Sequence, residues 1–230
     1  MYKNYIFDLY GTLIDIHTDE EKAELWLEMA KLYSKKGAVY TSGVLKKAYE
    51  DGCRNMEEAL HKEKQVEYPE IEIGEVFNGL FLQNGVKVGR EDIAEIAYRF
   101  RELSREYMKL YKESEPFLKK LKEEGKRIYL LSNAQRLFTA PEIKEVGIGK
   151  YFDDIFISSD FGMKKPEKEY LEALIQKHGL KRDECLMIGN ETESDIEVAK
   201  RCSVDGVLVK DGKFSEITGG YFPGIPQCFG

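Results

Sequence analysis

The chain has 230 residues, 42% hydrophobic and 33% charged, with a formal net charge of −7 and a pI of about 5.3. That is apolar enough for a substantial core, which excludes wholesale disorder, and the acidity argues against nucleic acid or an anionic membrane as the main partner. No apolar run approaches the length a bilayer needs and no basic leader precedes the first strand, so a cytoplasmic protein is expected.

The first element is a short apolar strand. Tyr5-Ile6-Phe7 runs into Asp8, and Leu9-Tyr10-Gly11-Thr12 follows, which places a carboxylate at the end of a strand. From Thr18 to about Tyr111 the pattern is helical. Thr18-Asp19-Glu20-Glu21 has the form of a capping box, Thr with Glu three residues on. Leu25, Trp26, Met29, Leu32 and Tyr33 then form one apolar stripe, closed by Gly37. A second helix is expected over Ser42 to about Lys62, with Gly52 as a weak point. A third runs from about Glu70 to Gln83. A fourth begins after Arg90 and carries Ile93, Ile96, Ala97, Phe100, Leu103, Tyr107 and Leu110 on one face. Four amphipathic helices with short links imply a small bundle.

From Glu115 the texture becomes βαβ. Pro116 suits the first position of a helix that Gly125 closes. Strands are expected over Ile128–Leu131, Asp154–Ser158, Cys185–Ile188 and Val207–Val209, with helices from about Pro141 to Val146, after Lys165-Pro166 to about His178, and up to Arg201. Alternation of this kind predicts an α/β fold, a parallel sheet covered on both faces. Residues 1–16 and 113–230 form that core and 17–112 a helical insert. The stretch Phe214–Gly230 carries no readable pattern. Cys53, Cys185, Cys202 and Cys228 are widely spaced without a C-x-x-C, and read as unpaired thiols in a reducing compartment.

Asp8, Ser132, Lys165 and the Asn190–Asp195 segment each fall just after a strand, on the sheet edge where open α/β folds bind ligands. An N-cap Ser, a surface Lys or a helix-capping Asp would explain any one of them singly. Convergence on one edge is the signal.

These segments resemble the four motifs of the haloacid dehalogenase superfamily: FDLYGTL, LLSNA, the Lys-Pro of GMKKPEKEY, and MIGNETESD. The helical block lies between the first two, where that family inserts its common cap, and the resemblance implies a Rossmann-like sheet core with a four-helix cap closing over its active-site mouth. The resemblance implies a hydrolase with Asp8 as nucleophile, Ser132 and Asn133 as hydrogen-bond donors to the transferring group, and Lys165 as the charge that offsets carboxylate and substrate. Lys164 is the surface neighbour. It also implies Mg²⁺ in the phosphatases of the family, with Asp8, the Tyr10 carbonyl, Asn190 and Asp195 as the matching ligands and Glu191 as a spare carboxylate.

Two positions depart from the phosphatase pattern. Tyr10 stands where a second Asp serves as general acid, and its ordinary pKa near 10 suits that role poorly. Asn190 stands where family phosphatases carry Asp, which removes a charge from the metal site. Both features resemble the metal-independent 2-haloacid dehalogenases, whose leaving halide needs no proton. Against that, the early cap of this chain has no Arg between Ile16 and Cys53, and Arg54 is expected to face solvent. The spacing from Asn190 to Asp195 matches phosphatases. The expected activity is therefore a phosphatase for a small phosphorylated metabolite, with a dehalogenase and a poorly catalytic ligand-binding relative as alternatives. His17, His61 and His178 read as surface or structural histidines. Gly147-Ile148-Gly149-Lys150 reads as a helix end rather than a phosphate loop. Oligomeric state has no sequence signature here.

Overall fold

The computed structural model describes residues 2–215; Cys228 and the patternless C-terminal stretch from residue 216 onward lie outside the described residues. In chain order the elements are β1 (Asn4–Phe7), β2 (Ile14–Thr18), α1 (Ala23–Lys35), α2 (Ser42–Lys64), α3 (Ile73–Leu82), α4 (Arg90–Ser104) and β3 (Arg105–Leu110). Then come α5 (Ser114–Glu123), β4 (Arg127–Ser132), α6 (Arg136–Val146), β5 (Asp154–Ile157), α7 (Lys168–His178), β6 (Cys185–Gly189), α8 (Glu197–Arg201) and β7 (Asp205–Leu208).

Five strands make one parallel sheet in the order β5-β4-β1-β6-β7. Alternation along each inner strand sends side chains to two separate clusters. Phe7, Leu130 and Ile188 join one, and Ile6, Leu131 and Met187 the other, so both faces are buried as a parallel sheet requires. The chain leaves β1 to one side for β4 and β5, and returns to its other side for β6 and β7. The C-terminal end of β1 is thus the switch point of the sheet, the place where a crevice opens.

Helices α1–α4 pack around a third cluster that contains Trp26, Tyr33, Phe77 and Phe100, which places Trp26 in a core rather than at a ligand. Gly52 does not interrupt α2. A Cβ there would come within 3.1 Å of Val76 Cγ1, so the glycine allows α2 and α3 to approach closely. Phe138 of α6 belongs to the same cluster, which joins the helical block to the sheet half.

Several boundaries differ from the sequence reading. Thr18 ends β2 instead of capping a helix; Asp19 accepts from the Glu21 amide at 2.8 Å, and α1 begins only at Ala23. Residues 105–110, read as the end of the fourth helix, form β3 and pair antiparallel with β2. Arg105 leaves the helix with φ −72° and ψ 122°, and the ladder with β2 supplies the hydrogen bonds the helix would have made. Helix α6 starts at Arg136, five residues earlier, with Pro141 inside it. Pro116 occupies the third position of α5, within the first turn, where a missing N–H loses no intrahelical partner. Gly147 ends α6 in the left-handed region at φ 74°, as a helix end.

Candidate active site

The loop after β1 carries Asp8 to the switch point, where its amide donates to the Ile188 carbonyl at 2.9 Å. Ser132 is the last residue of β4, Asn190 follows β6, and Lys165 follows the turn after β5. Lys165 is fully enclosed. Its Nζ stands 2.7 Å from Asp8 Oδ1 and 2.7 Å from Asp195 Oδ1. Gly189 makes room for this arrangement, because a Cβ there would lie 2.1 Å from the Asp195 carboxyl.

Burial pushes the Asp8 carboxyl up to about 6, and the Asp195 charge adds to that while Lys165 pulls the other way. Burial also works against the Lys165 charge, yet Asp8 and Asp195 together outweigh it and hold the ammonium above its usual range. One ammonium between two carboxylates is a compact device. It fixes the nucleophile's orientation and keeps a net negative charge of one in the cluster.

Asp195 is fully committed: its second oxygen accepts from the Glu191 amide at 3.0 Å. Asn133 is committed as well. Its amide donates to the Lys165 carbonyl at 3.0 Å and its oxygen accepts from the Lys165 N–H at 2.7 Å. The side chain expected to donate to a substrate thus clamps the Lys165 backbone. Ser132 is the opposite case: fully buried, its hydroxyl has no hydrogen-bond partner among the described residues. A buried unpaired hydroxyl costs free energy unless a ligand satisfies it.

Thr12, a residue the motif reading passed over, is buried with Oγ1 3.2 Å from Asp8 Oδ2. The end of the Asn190 amide lies 3.3 Å from Asp8 Oδ2, 3.1 Å from the Tyr10 carbonyl oxygen and 3.0 Å from Thr12 Oγ1. With its nitrogen inward, Asn190 donates to these acceptors. With its oxygen inward, it accepts from Thr12 and faces two further oxygens. Such spacings match the edge of an octahedron with bonds of about 2.1 Å, roughly 3 Å, so Asp8, the Tyr10 carbonyl and Asn190 fit a Mg²⁺ ion as three oxygen ligands. Asp195 is turned to Lys165 instead. Among the described residues no group of three or more His, Cys, Asp or Glu side chains is placed to hold a metal ion.

Of Tyr10, only the carbonyl joins this centre. Its phenol donates to Glu142 and lies 3.0 Å from Thr139 Oγ1, both on α6. Glu142 is buried and is gripped by Arg101 of α4 at 2.7 Å and 3.3 Å, with Arg105 at 3.7 Å. The Arg101 guanidinium lies 5.8 Å from the Tyr10 ring centre. Burial and the Glu142 charge hold the Tyr10 phenol well above its usual range, so it stays a neutral donor. Arg101 was not singled out in the sequence; its position beside Phe100 and four residues after Ala97, at the margin of the buried stripe, is the one signal it gave.

The segment between α2 and α3 ties the helical block down a second time. Glu70 accepts from Ser158 Oγ at 2.7 Å and from Gln135 Nε2 at 2.8 Å, and the Lys164 amide donates to the Tyr68 carbonyl at 3.0 Å. An opening of about 540 Å³ beside it is lined by Tyr68, Asn133, Lys165, Glu191, Glu193 and Glu197. Lys164 reaches Glu57 at 3.4 Å outside the centre, and Arg54 pairs with Asp51 on the surface. His17 is exposed beside Glu106, His61 contacts the Val66 carbonyl, and His178 pairs with Asp154; none joins the cluster.

A parallel α/β sheet with an Asp-Lys-Asp cluster at its switch point, interrupted after the first strand by a helical insert, defines a class of hydrolase. The chain belongs to the haloacid dehalogenase-like hydrolases, whose family model matches residues 2–203. It is 25% identical over 208 residues to a pyrimidine 5'-nucleotidase of Streptococcus pneumoniae, covering 90% of this chain and 83% of that one. It is 28% identical over 207 residues to a phosphoglycolate phosphatase of Aquifex aeolicus, covering 88% and 82%. The match to the glyceraldehyde 3-phosphate phosphatase of Methanocaldococcus jannaschii, at 27% identity, spans 44% of each chain, less than half the length of that relative.

Solved structures agree on the fold. A family enzyme from Bacteroides thetaiotaomicron superposes with a TM-score of 0.61 at 21% identity, covering 95% of this chain and 98% of that one. The same enzyme is also known in complex with magnesium and inorganic phosphate, with a TM-score of 0.55 at 22% identity and coverage of 93% and 96%. Among the described residues, no helix is long and apolar enough to cross a membrane.

Proposed function

We propose that this protein is a phosphatase for a small phosphorylated metabolite and works through an aspartyl-phosphate at Asp8. The observation that carries this reading is a buried carboxylate held by a buried ammonium, with the Ser132 hydroxyl at the neighbouring strand end left free for an incoming oxygen. Two relatives, one named as a phosphoglycolate phosphatase and one as a pyrimidine 5'-nucleotidase, each aligned over more than four-fifths of its own length, support it.

In this mechanism an Asp8 oxygen attacks phosphorus while the bond to the leaving alcohol oxygen breaks. Water then opens the acyl phosphate, which releases inorganic phosphate and restores the carboxylate. Lys165 keeps Asp8 aimed and offsets charge as the dianion approaches. Asn133 holds Lys165 in register. Asp8, the Tyr10 carbonyl and Asn190 would hold Mg²⁺, which would supply further charge neutralisation there. Tyr10 offers no proton to the leaving oxygen, because its phenol is bound to Glu142, so the proton comes from solvent. Residues 17–112 act as a cap over the mouth, and residues 1–16 with 113–230 as the catalytic core. Tyr68 lines that mouth from the cap side.

A second reading is a metal-independent 2-haloacid dehalogenase. One observation favours it: the Asn190 amide can satisfy Asp8 Oδ2 and the Tyr10 carbonyl without a cation. Product release from phosphorylated metabolites and from short 2-haloacids, each with Mg²⁺ and with chelator, separates the two. The proposal expects phosphate release that requires Mg²⁺ and Asp8. Halide release indifferent to chelator would replace it with the second reading. Silence from both panels, with Asp8→Asn indistinguishable from wild type in ligand binding, would favour a binding protein.

A further inference from the structure

We infer that Asn190 is a reversible stand-in for a cation: nitrogen inward, its amide replaces the metal, and oxygen inward, it helps to bind one. Three oxygens face the end of this side chain: Asp8 Oδ2, the Tyr10 carbonyl and Thr12 Oγ1. With the amide nitrogen inward they meet a donor, and the hydrogen bonds bring Asp8 and the Tyr10 carbonyl together much as a bound ion would. With the amide oxygen inward, the Thr12 hydroxyl turns its one proton from Asp8 to that oxygen at 3.0 Å, and Asp8 Oδ2 and the Tyr10 carbonyl meet a third oxygen at 3.3 Å and 3.1 Å. Three oxygens at that spacing repel one another unless a positive charge lies between them. Each orientation therefore belongs to one state of occupancy.

The surroundings permit the turn. Asn190 is exposed, so its amide can rotate without disturbing the core. Gly11, at φ +80°, lies under it, and a Cβ at that position would come within 2.4 Å of Asn190 Nδ2 and 2.8 Å of Cγ. The flat face of the amide needs a glycine there.

An Asp at position 190 would behave differently. It has no donor to offer, so a second carboxylate would face Asp8 at hydrogen-bond range and demand a cation at all times. The Asn instead makes the metal-free centre self-sufficient, and any ion must compete with internal hydrogen bonds while gaining one charge fewer. This inference rests on the geometry of Asp8, Tyr10, Thr12 and Asn190 and not on the reaction. Its test needs no substrate, so it fails separately from the phosphatase reading.

The test uses the full chain with Mg²⁺ alone as the probe: wild type, Asn190→Asp and Asn190→Ala, by calorimetric titration and by thermal unfolding in chelator and in Mg²⁺. Asn190→Asp should bind Mg²⁺ on the order of tenfold more tightly than wild type, since affinity follows ligand charge count. In chelator it should melt roughly 2–4 °C lower than wild type and recover in Mg²⁺. Asn190→Ala should also lose metal-free stability, with no gain in affinity, which isolates the donated hydrogen bonds from the charge. In wild type the side-chain NH₂ resonance of ¹⁵N-labelled Asn190 should move on saturation with Mg²⁺. Equal Mg²⁺ affinity in wild type and Asn190→Asp would overturn the inference, as would equal metal-free melting of all three proteins. A wild type that binds no Mg²⁺, or an Asn190 resonance that stays in place at saturation, would overturn the oxygen-inward orientation.

Discussion

Two buried clusters of charge lie on either side of one short loop, and they differ in what they leave undone. Around Asp8, one ammonium is held by two carboxylates, and next to it stand an unpartnered Ser132 hydroxyl and an Asn190 amide with two usable ends. Around Tyr10, two residues further on, one carboxylate is held by two guanidinium groups and a phenol, and the phenol, Glu142 and Arg101 are all paired. A satisfied buried network specifies structure, whereas groups left unsatisfied mark a place prepared for something else. On the proposed reading, the first cluster is the chemical one. The second joins α4 of the helical block to α6 of the sheet half and anchors the Asp8 loop between them.

The contrast breaks most sharply on Asp8. Asp8→Asn should lower turnover by at least about 10⁴-fold with an unchanged circular dichroism spectrum, since removal of a covalent nucleophile costs on that scale. Lys165→Met should lose activity and stability together. Two buried carboxylates would be left facing each other, and chemical denaturation should record a loss of about 3–5 kcal/mol. On the other side of the loop the expected effects are structural. Glu142→Gln leaves Arg101 without its carboxylate, while Arg105 keeps Glu145 at 2.9 Å, and should cost about 1–3 kcal/mol, with kcat held within a few-fold. Tyr10→Phe removes one hydroxyl and should cost about 1 kcal/mol, again with kcat nearly unchanged. A large kcat loss in Tyr10→Phe with intact stability would show that the phenol reaches the reaction after all.

The smallest effect is a matter of pH. Burial raises the Asp8 carboxyl to about 6, so a protonated, inert fraction persists well above the usual carboxylate range. In the metal-free protein the proton competes with the cation for Asp8, so kcat/KM at limiting Mg²⁺ should rise as pH rises and level off above about 6, falling about tenfold per pH unit below it. The stability effect has the opposite sign. A raised carboxylate contributes stability that is complete below its unfolded value near 4 and is lost as pH climbs through about 6. A rate profile that is already flat from pH 5 upward would remove burial as the dominant influence on Asp8.

The sheet was the legible half of this molecule. Its strands are short apolar runs followed by polar residues, and each ends within a residue or two of its expected position; the inner strands β1, β4 and β6 are the clearest because both their faces are buried. Asp8, Ser132, Lys165, Asn190 and Asp195 could be placed on one edge for the same reason. What could not be read was pairing over distance. The stripe Phe100, Leu103, Tyr107, Leu110 continues at helical spacing, yet β2 offers a ladder partner that takes residues 105–110 out of the helix. Local periodicity has no knowledge of that partner. Asn133 looked like a substrate donor, because nothing in LLSNA reveals that the Lys165 backbone lies within reach. Glu142 and Arg101 are 41 residues apart, and neither announces the other. Tyr10 was visible as a departure from the pattern, but the reason for it sits on α6.

The account stands on covalent chemistry at Asp8, and the direct measurement is to trap it. The protein is mixed with an aryl phosphate and Mg²⁺, quenched in acid, digested and analysed by mass spectrometry. The account predicts that the peptide carrying Asp8 gains the mass of one phosphoryl group, and that the Asp8→Asn protein shows neither adduct nor turnover. Phosphate release at an undiminished rate from Asp8→Asn, with no phosphoryl adduct in the wild type, would contradict it.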